Sequence, residues 1–223
     1  DDNLIDGTQT TTVTVAVVDG SSDDAYDSVA DSTVSVTTSD DDTASFTLSG
    51  TAVTVSEAGS TATFTVVLGA EPASDVVLSV SSADTGEVTV SPAQLTFTSS
   101  NWNAAQTVTV TGVNDSLTDG NQTTAATVAV VDGSSDNAFD SLADQTVTVT
   151  TSDNDSPGIS TTESDGSTGT TETGGTDSFT VVLNTQPSSD VVASVVSSDT
   201  GEVTVTPAQL TFTSSNWNTA QTV

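Results

Sequence analysis

The sequence predicts an all-β fold, a tandem array of seven-stranded antiparallel β-sandwiches, from three observations. Apolar residues alternate with Thr at a period of two, as at Ala62, Phe64, Val66 and Leu68. The β-branched side chains that dominate these runs fit a pleated, half-buried surface. Gly, Asn, Asp and Pro interrupt the runs about every 10–15 residues, which is typical of strands joined by turns. The third observation is an internal repeat.

The repeat has a period of 113–115 residues. Residues 64–68 (FTVVL) return as residues 179–183, with a shift of 115, whereas residues 19–23 (DGSSD) return as residues 132–136, with a shift of 113. An insertion of two residues near 160–171 explains the difference. One period is the size of a single β-sandwich domain.

The phase of the repeat divides the chain into three parts. Residues 1–42 match the C-terminal half of a repeat, residues 43–155 form one complete repeat, and residues 156–223 match the N-terminal part of the next. We therefore expect the chain to be a window of a longer tandem array. Period-two alternation continues through the complete repeat, and no segment has helical periodicity.

Seven strands are predicted in the complete repeat: A (about 46–55), B (61–68), C (75–81), D (87–98), E (105–113), F (123–131) and G (145–151). Pro92 has no N–H to donate, so we expect strand D to bend there and to lie at a sheet edge. Trp102 and its counterpart Trp217 follow strand D. We expect both to close the end of a sandwich.

The chain contains 31 Asp and Glu residues and no Lys, Arg or His, a formal charge of −31. Such a chain is not expected to bind nucleic acid or to insert into a membrane. The absence of Cys excludes disulfides and thiolate chemistry. Only paired carboxylates remain for acid–base catalysis. Because the same acids recur in successive units, we predict a structural ion site and no enzyme.

The acids converge if successive strands alternate in direction. The A–B turn (56–59), the C–D loop (84–87), the E–F loop (114–119) and the end of strand G (153–155) then lie at one pole, facing the next repeat. Crowded carboxylates either have raised pKa values or bind metal ions. Calcium accepts about six to eight oxygens in flexible geometry, so it suits converging loops better than magnesium. Dispersed acids such as Asp75 are expected to form a solvated surface.

At these residues the chain resembles a known family. Residues 107–121 (TVTVTGVNDSLTDGN), followed by residues 152–155 (SDND), resemble Calx-beta domains. Residues 171–183 (TETGGTDSFTVVL) and 210–218 (LTFTSSNWN) are similar to repeats of large marine bacterial adhesins. The resemblance spans essentially the whole chain. It implies a seven-stranded, immunoglobulin-like sandwich that binds calcium at its distal loops.

The predicted calcium ligands combine the acids of this pole with positions implied by the resemblance. In the complete repeat they are Glu57, Asp84, Glu87, Asp115, Asp119, Asp153, Asn154 and Asp155. In the flanking half-repeats they are Asp2, Asp6, Asp40, Asp41, Asp42, Glu172, Asp199 and Glu202. Asn114, Asn154 and Gln122 stand where the family has or often has acids. We therefore expect weak sites, suited to calcium-rich extracellular fluid.

The sequence and the resemblance together predict an extracellular structural or adhesive module at a bacterial cell surface. Its units would be spacers of a rod-like stalk, stiffened by calcium at each junction. The expected partners are neighbouring repeats of the same chain or filament, calcium ions, and a cell-surface or matrix ligand bound through other domains. One alternative is a subunit of a self-assembling surface filament or S-layer-like polymer. Another is a carbohydrate-binding module, for which exposed aromatic side chains are scarce.

Overall fold

The computed structural model describes residues 2–223, and its regular structure is almost entirely β. The strands are β1 (Gln9–Val15), β2 (Ser32–Thr38), β3 (Phe46–Leu48), β4 (Ala52–Ser56), β5 (Thr61–Leu68), β6 (Val76–Ser82), β7 (Val88–Ser91), β8 (Gln94–Phe97), β9 (Gln106–Gly112), β10 (Gln122–Val130), β11 (Gln145–Ser152), β12 (Ile159–Glu163), β13 (Phe179–Leu183), β14 (Val191–Ser194), β15 (Gln209–Phe212) and β16 (Gln221–Thr222). Two short 3-10 turns lie at Asp19–Ser21 and Asp132–Ser134. Within residues 2–223 no helix has the length and apolarity needed to cross a membrane. The predicted all-β class is confirmed.

Strands β3 to β11 form the central sandwich, which has two sheets. One sheet has the order β4-β11-β10-β6-β8, and the other has the order β3-β5-β9-β7. Paired strands are antiparallel except β4 and β11, which run in parallel with Ser56 opposite Ser152. The inward side chains fill one core around Phe64, Phe97 and Phe139. Each fully buried Val, Leu or Phe contributes about 1.5–3 kcal/mol to stability.

The central sandwich has nine strands rather than the predicted seven, because two of the predicted runs change sheet. The run predicted as strand A is divided at residues 49–51 into β3 and β4, which belong to different sheets. The run predicted as strand D is divided at Pro92 into β7 and β8, and both lie at sheet edges. The expected interruption at Pro92 is confirmed, since proline cannot donate to a strand ladder. The division of strand A allows β4 to pair with β11.

The two tryptophans pack in equivalent ways. Trp102 is half-buried against the central core, and its carbonyl accepts a hydrogen bond from the Leu68 N–H at 3.1 Å. Trp217 is half-buried against a smaller C-terminal core, and its carbonyl accepts from the Leu183 N–H, also at 3.1 Å. Both therefore pack as the sequence predicts.

The segments on either side repeat parts of the central sandwich. β1 and β2 pair in the register of β10 and β11, since Gln9 lies opposite Thr38 just as Gln122 lies opposite Thr151. Strands β12 to β16 form two small sheets, β12-β13-β16 and β14-β15, around a core centred on Phe212. The exact unit boundaries, after residues 42 and 155, remain a prediction from the sequence repeat.

Candidate metal centre

Strand pairing places Glu57 where the acids were predicted to converge. β4 and β11 run in parallel and end together, so Glu57 and Asp153 follow the paired residues Ser56 and Ser152. The Glu57 N–H extends this pairing by donating to the Ser152 carbonyl at 3.2 Å. The Glu57 side chain is only 1% exposed. A carboxylate buried to this extent is costly unless it is paired or bound to a cation.

Strand β9 approaches the same turn closely at Gly112. A Cβ atom at this position would overlap the carbonyl group of Ser56. The Gly112 N–H donates to the carbonyl of Ser60, at the far end of the turn, at 3.1 Å. Glycine therefore lets β9 pack against the turn that carries Glu57.

Three carboxylates form the centre of the site. One oxygen each from Glu57, Asp153 and Asp155 lies within 4.8 Å of the other two. Calcium ligands lie about 2.3–2.6 Å from the ion, so oxygens that share an ion are separated by up to about 5 Å. Oε1 of Glu57 and Oδ2 of Asp155 are buried and have no hydrogen-bond partner among residues 2–223. Two of the three clustered residues thus each carry a buried oxygen without a partner, which indicates a position for a cation.

Hydrogen bonds from the backbone hold this triad in place. The Asp155 N–H donates to Oδ1 of Asp153 at 2.7 Å, and the Asn154 N–H donates to Oε2 of Glu57 at 3.4 Å. From the E–F loop, the Gly120 N–H donates to Oδ2 of Asp153 at 2.8 Å. Asp153 therefore connects the end of β11 to the E–F loop.

The E–F loop supplies two further acids. Asp115 is half-buried and its Oδ1 accepts the N–H of Leu117 at 2.7 Å, whereas Asp119 is exposed. Oδ1 of Asn114 accepts a hydrogen bond from the side chain of Asn154 at 3.0 Å. This contact connects the loop to the end of β11 a second time.

Burial and neighbouring charges raise the pKa values of two glutamates at this pole. Burial raises the pKa of Glu57, and the charges of Asp115, Asp153 and Asp119 raise it further, although a backbone hydrogen bond lowers it in part. Burial also raises the pKa of Glu87, as do the charges of Asp119 and Asp115. Oε2 of Glu87 is buried and has no hydrogen-bond partner in the described part of the chain. The A–B, C–D and E–F loops and the end of β11 thus lie within electrostatic reach of one another.

The donor chemistry fits a hard divalent cation. The side chains gathered at this pole offer carboxylate and amide oxygens, and the sequence contains no His or Cys that would favour zinc or copper. The sequence also contains no Lys or Arg, so a counter-charge has to come from solution. Calcium, which takes oxygen ligands in flexible geometry, suits the set best.

The eight residues predicted in the complete repeat take different positions. Glu57, Asp153 and Asp155 form the triad, and Asp115, Asp119 and Glu87 surround it. Oδ1 of Asp84 accepts the Gly86 N–H at 2.9 Å within its own loop, and the Asp84 charge contributes to the raised pKa of Glu87. Asn154 is exposed, and its hydrogen bonds go to protein groups. Which of the eight bind calcium stays a prediction.

The predicted acids of the N-terminal segment repeat part of this arrangement. Asp40 accepts the N–H of Gly7 at 2.7 Å and of Asp42 at 2.9 Å, just as Asp153 accepts those of Gly120 and Asp155. The hydrogen bonds from the backbone of Asp42, Gly7 and Asp6 lower the pKa of Asp40. Burial raises the pKa of Asp42, and four neighbouring carboxylates raise it further: Asp40, Asp41, Asp2 and Asp6.

The predicted acids of the C-terminal segment are not gathered in this way. Glu172, Asp199 and Glu202 are all exposed. Glu172 and Glu202 line one open groove of about 700 Å³ beside Phe179. Oδ1 of Asp199 accepts the Gly201 N–H at 2.9 Å within its own loop. The central triad is the one acidic cluster of its kind within residues 2–223.

Backbone contacts at the junction after the central sandwich were not predicted. The Gln186 N–H donates to the Ser116 carbonyl at 2.7 Å, and Leu117 forms an isolated parallel bridge with Gln186. The Thr118 hydroxyl donates to the Thr185 hydroxyl oxygen at 3.1 Å. The loop that carries acids of the central pole therefore also contacts the next segment.

The junction before the central sandwich has the same backbone contacts with different side chains. The Glu71 N–H donates to the Asn3 carbonyl at 2.7 Å, and the Ile5 N–H donates to the Glu71 carbonyl at 3.1 Å. Ile5 stands at the position of Thr118 and packs against the central core. Ala70, which is buried, stands at the position of Thr185. Because backbone groups make the contact that both junctions share, the residue types at these positions do not reveal the contact in the sequence. Only the period of the repeat relates them.

No protein-family model matches this chain, and no curated protein sequence matches it. Among solved structures it is similar to SSP-19, an MSP-domain protein-like family member of Caenorhabditis elegans, with 21% identity and a TM-score of 0.33 over 48% of this chain and 97% of that one. The E. coli chaperone DraB shares 11% identity, with a TM-score of 0.37, over 63% of this chain and 70% of that one. Domains 1–6 of the surface layer protein SbsC share 15% identity, with a TM-score of 0.34, over 73% of this chain and 20% of that one. TM-scores this low carry no argument about function.

Proposed function

We propose that this chain is part of an extracellular structural array, in which sandwich units are spacers and calcium binds at the pole between consecutive units. The observation that carries the proposal is the triad of Glu57, Asp153 and Asp155, where buried carboxylate oxygens lie together without a protein cation. When bound, calcium supplies the positive charge that no side chain of this sequence supplies. The proposal includes no catalytic role for these acids.

The E–F loop couples the acid pole to the junction. Asp115 and Asp119 contribute charge to the pole, whereas residues 116–118 between them contact residues 185–186 of the next segment. Repulsion between the loop acids and the end of β11 opposes an ordered loop, and neutralisation of the pole removes that repulsion. The ordered loop then presents a fixed edge to the next unit, so stiffness depends on the supply of calcium.

A tandem array of such units has a large reach. A strand of about eight residues spans about 26 Å, so each unit extends the array by roughly 30 Å. The proposed role is a stalk at a bacterial cell surface that holds other domains, and their cell-surface or matrix ligand, away from the cell.

Calcium titration of the 223-residue chain tests the proposal. We expect calcium to raise the free energy of unfolding, by about 2.7 kcal/mol at 100 times the dissociation constant, and magnesium to do so less. Asp153→Asn should abolish most of this gain because Asp153 belongs to the triad and connects two loops. Asp75→Asn, which removes an exposed acid of the same sandwich, is the matched control.

Chelation provides the structural measurement. Small-angle X-ray scattering should show a shorter or more variable particle after calcium is removed. An unchanged melting temperature together with unchanged dimensions after chelation would overturn the proposal, as would equal calcium responses of the Asp153→Asn and Asp75→Asn proteins. A sub-micromolar dissociation constant would contradict the expectation of weak sites.

A further inference from the structure

Strand β11 buries a hydroxyl group at the last of its inward positions. Val147, Val149 and Thr151 alternate along the strand, and all three are 0% exposed. The hydroxyl oxygen of Thr151 is buried and has no hydrogen-bond partner among residues 2–223. A hydroxyl removed from water without a partner lowers the stability of the fold. Valine has the same shape without this cost, so packing alone does not account for a threonine at this position.

Thr151 lies at the end of the core that meets the acidic triad. It is opposite Val55 in the parallel pairing of β4 with β11, and Val55 is also buried. Because side chains alternate along a strand, Thr151 shares a face with Asp153, and Val55 shares a face with Glu57. Thr151 is therefore the last core residue of β11 before the carboxylates begin.

Glu57 offers an acceptor for this hydroxyl. Oε1 of Glu57 is buried and has no hydrogen-bond partner in the described part of the chain, and the same is true of the Thr151 hydroxyl. Diagonal neighbours on adjacent strands are about 7–8 Å apart, within reach of a long side chain such as glutamate. The backbone around Thr151 offers less, since β11 pairs with β4 along one edge and with β10 along the other. A buried donor and a buried acceptor, both without partners, thus lie at the same end of the core.

We propose that Thr151 is a positioning residue of the cation site, whose hydroxyl donates to the Glu57 carboxylate and orients it for the ion. The inference rests on the proposed function, because it concerns the same site. Carboxylates that bind metal ions are themselves hydrogen-bonded by groups outside the ligand set. The hydrogen bond from the Asn154 N–H to Oε2 of Glu57 is long, at 3.4 Å, and leaves the other carboxylate oxygen free. The Thr151 hydroxyl supplies the second contact that fixes this side chain.

Two substitutions of Thr151 separate the effect of its hydroxyl from the effect of its packing. Thr151→Val removes the hydroxyl and keeps the shape of the side chain, whereas Thr151→Ser keeps the hydroxyl and removes a methyl group. Thr148→Val makes the first change at an exposed position of the same strand and is the matched control. Calorimetric titration of the 223-residue chain with calcium measures the dissociation constant, and denaturant unfolding in chelator measures the stability of each protein.

We expect Thr151→Val to weaken calcium binding by about 10-fold or more, the usual effect of removing a group that orients a metal ligand. In chelator this variant should be at least as stable as the unmodified chain, because it no longer buries a hydroxyl without a partner. Thr151→Ser should behave in the opposite way. It should be less stable in chelator, since it lacks a buried methyl group, and it should bind calcium nearly as tightly as the unmodified chain. Thr148→Val should leave the calcium affinity unchanged.

Three results would overturn the role given to Thr151 and leave the proposed function standing. The first is a Thr151→Val protein that binds calcium as tightly as the unmodified chain. The second is an equal loss of affinity in the Thr151→Val and Thr151→Ser proteins, which would assign the effect to packing. The third is a Thr151→Val protein that loses stability in chelator together with calcium affinity, since damage to the core would then explain both losses.

The unmodified chain distinguishes this inference from the proposed function. If it binds no calcium, the proposed function and the role of Thr151 are overturned together. If it binds calcium, the proposed function is supported, and the comparison of the valine and serine variants decides whether the Thr151 hydroxyl belongs to the site.

Discussion

Glu57 and Glu172 occupy the same position of the repeat and lie in different surroundings. Glu57 is 1% exposed and belongs to a triad of carboxylates, whereas Glu172 is exposed beside an open groove. β4, which leads into Glu57, pairs with β11 at the end of the same repeat. The equivalent residues 167–171 form no strand. The difference between the two glutamates therefore follows from strand pairing.

This comparison shows that the acid site is a product of tertiary structure. A glutamate in the A–B turn becomes buried only when the last strand of the repeat runs beside it and the E–F loop is attached to that strand through Asp153. Burial and neighbouring charges then raise the pKa of Glu57. The local sequence supplies the carboxylates, and the pairing of β4 with β11 turns three of them into a candidate cation site.

Of the substitutions that test this comparison, Gly112→Ala should have the largest effect on stability, because it disrupts the packing of β9 against the turn that carries Glu57. The added methyl group would overlap the Ser56 carbonyl, so β9 and the turn carrying Glu57 have to separate. We expect a loss of about 1–3 kcal/mol in the free energy of unfolding, the usual cost of overpacking. Chemical denaturation measures that loss, and the calcium response of the variant should also fall.

Gly133→Ala is the control for this change. A Cβ atom at Gly133 meets nothing within 4 Å, and its φ is not in the left-handed region. We expect its stability to change by less than about 0.5 kcal/mol. Equal effects of the two substitutions would show that the close approach at Gly112 does not support the site.

Glu57→Gln and Glu172→Gln should differ in sign and size. In chelator, Glu57→Gln removes a buried charge and should raise the free energy of unfolding by about 1 kcal/mol. Glu172→Gln should stay within about 0.5 kcal/mol, since its side chain is exposed. The Glu57→Gln protein should not gain stability when calcium is added. It should therefore be more stable than the unmodified chain in chelator and less stable in calcium. Thermal denaturation of the three proteins with and without calcium measures this, and identical behaviour of both variants contradicts the role given to Glu57.

Several features were predictable from the sequence because they depend on period and composition. The alternation around Phe64 and Leu68 predicts strand β5 with its buried face, and the missing N–H of Pro92 predicts the interruption between β7 and β8. The alternating direction of strands predicts that the A–B turn, the E–F loop and the end of β11 share a pole. These inferences need no knowledge of which side chains touch.

Other features depend on three-dimensional contacts that leave no local signal. Gly112 continues a Val-Thr run, and only the structure shows the Ser56 carbonyl against it. The crossing from β3 to β4 between sheets was also hidden, since the predicted strand A is one continuous run. The junction at Ser116 and Gln186 uses backbone groups, to which residue identity is almost indifferent. Of eight predicted ligands in the central repeat, the sequence could not single out the three that come closest together.

The smallest predicted effect concerns pH, where the central acids and two flanking acids should act in opposite directions. Glu57 and Glu87 have raised pKa values, chiefly through burial, so above about pH 4 the native chain holds more protons than the unfolded chain. Its stability in chelator should therefore fall as the pH rises through those raised values. Asp40 and Asp177 have pKa values lowered by hydrogen bonds, from Asp42 and Gly169 first, so their contribution is present above about pH 4 and is lost as the pH falls further.

The metal-free chain should accordingly be most stable near the ordinary carboxyl pKa, about pH 4, and denaturant unfolding across a pH series with chelator measures this. General repulsion among 31 acids also lowers stability as the pH rises, so the slope alone does not identify the site. Two double variants that each remove two acids separate these causes. Glu57→Gln/Glu87→Gln should flatten the decline in the free energy of unfolding above about pH 4. Asp75→Asn/Asp190→Asn, which removes two exposed acids, should flatten it less. Equal flattening by both pairs would assign the decline to net charge, and a stability that rises from about pH 5 to 7 would contradict the raised pKa values of the central acids.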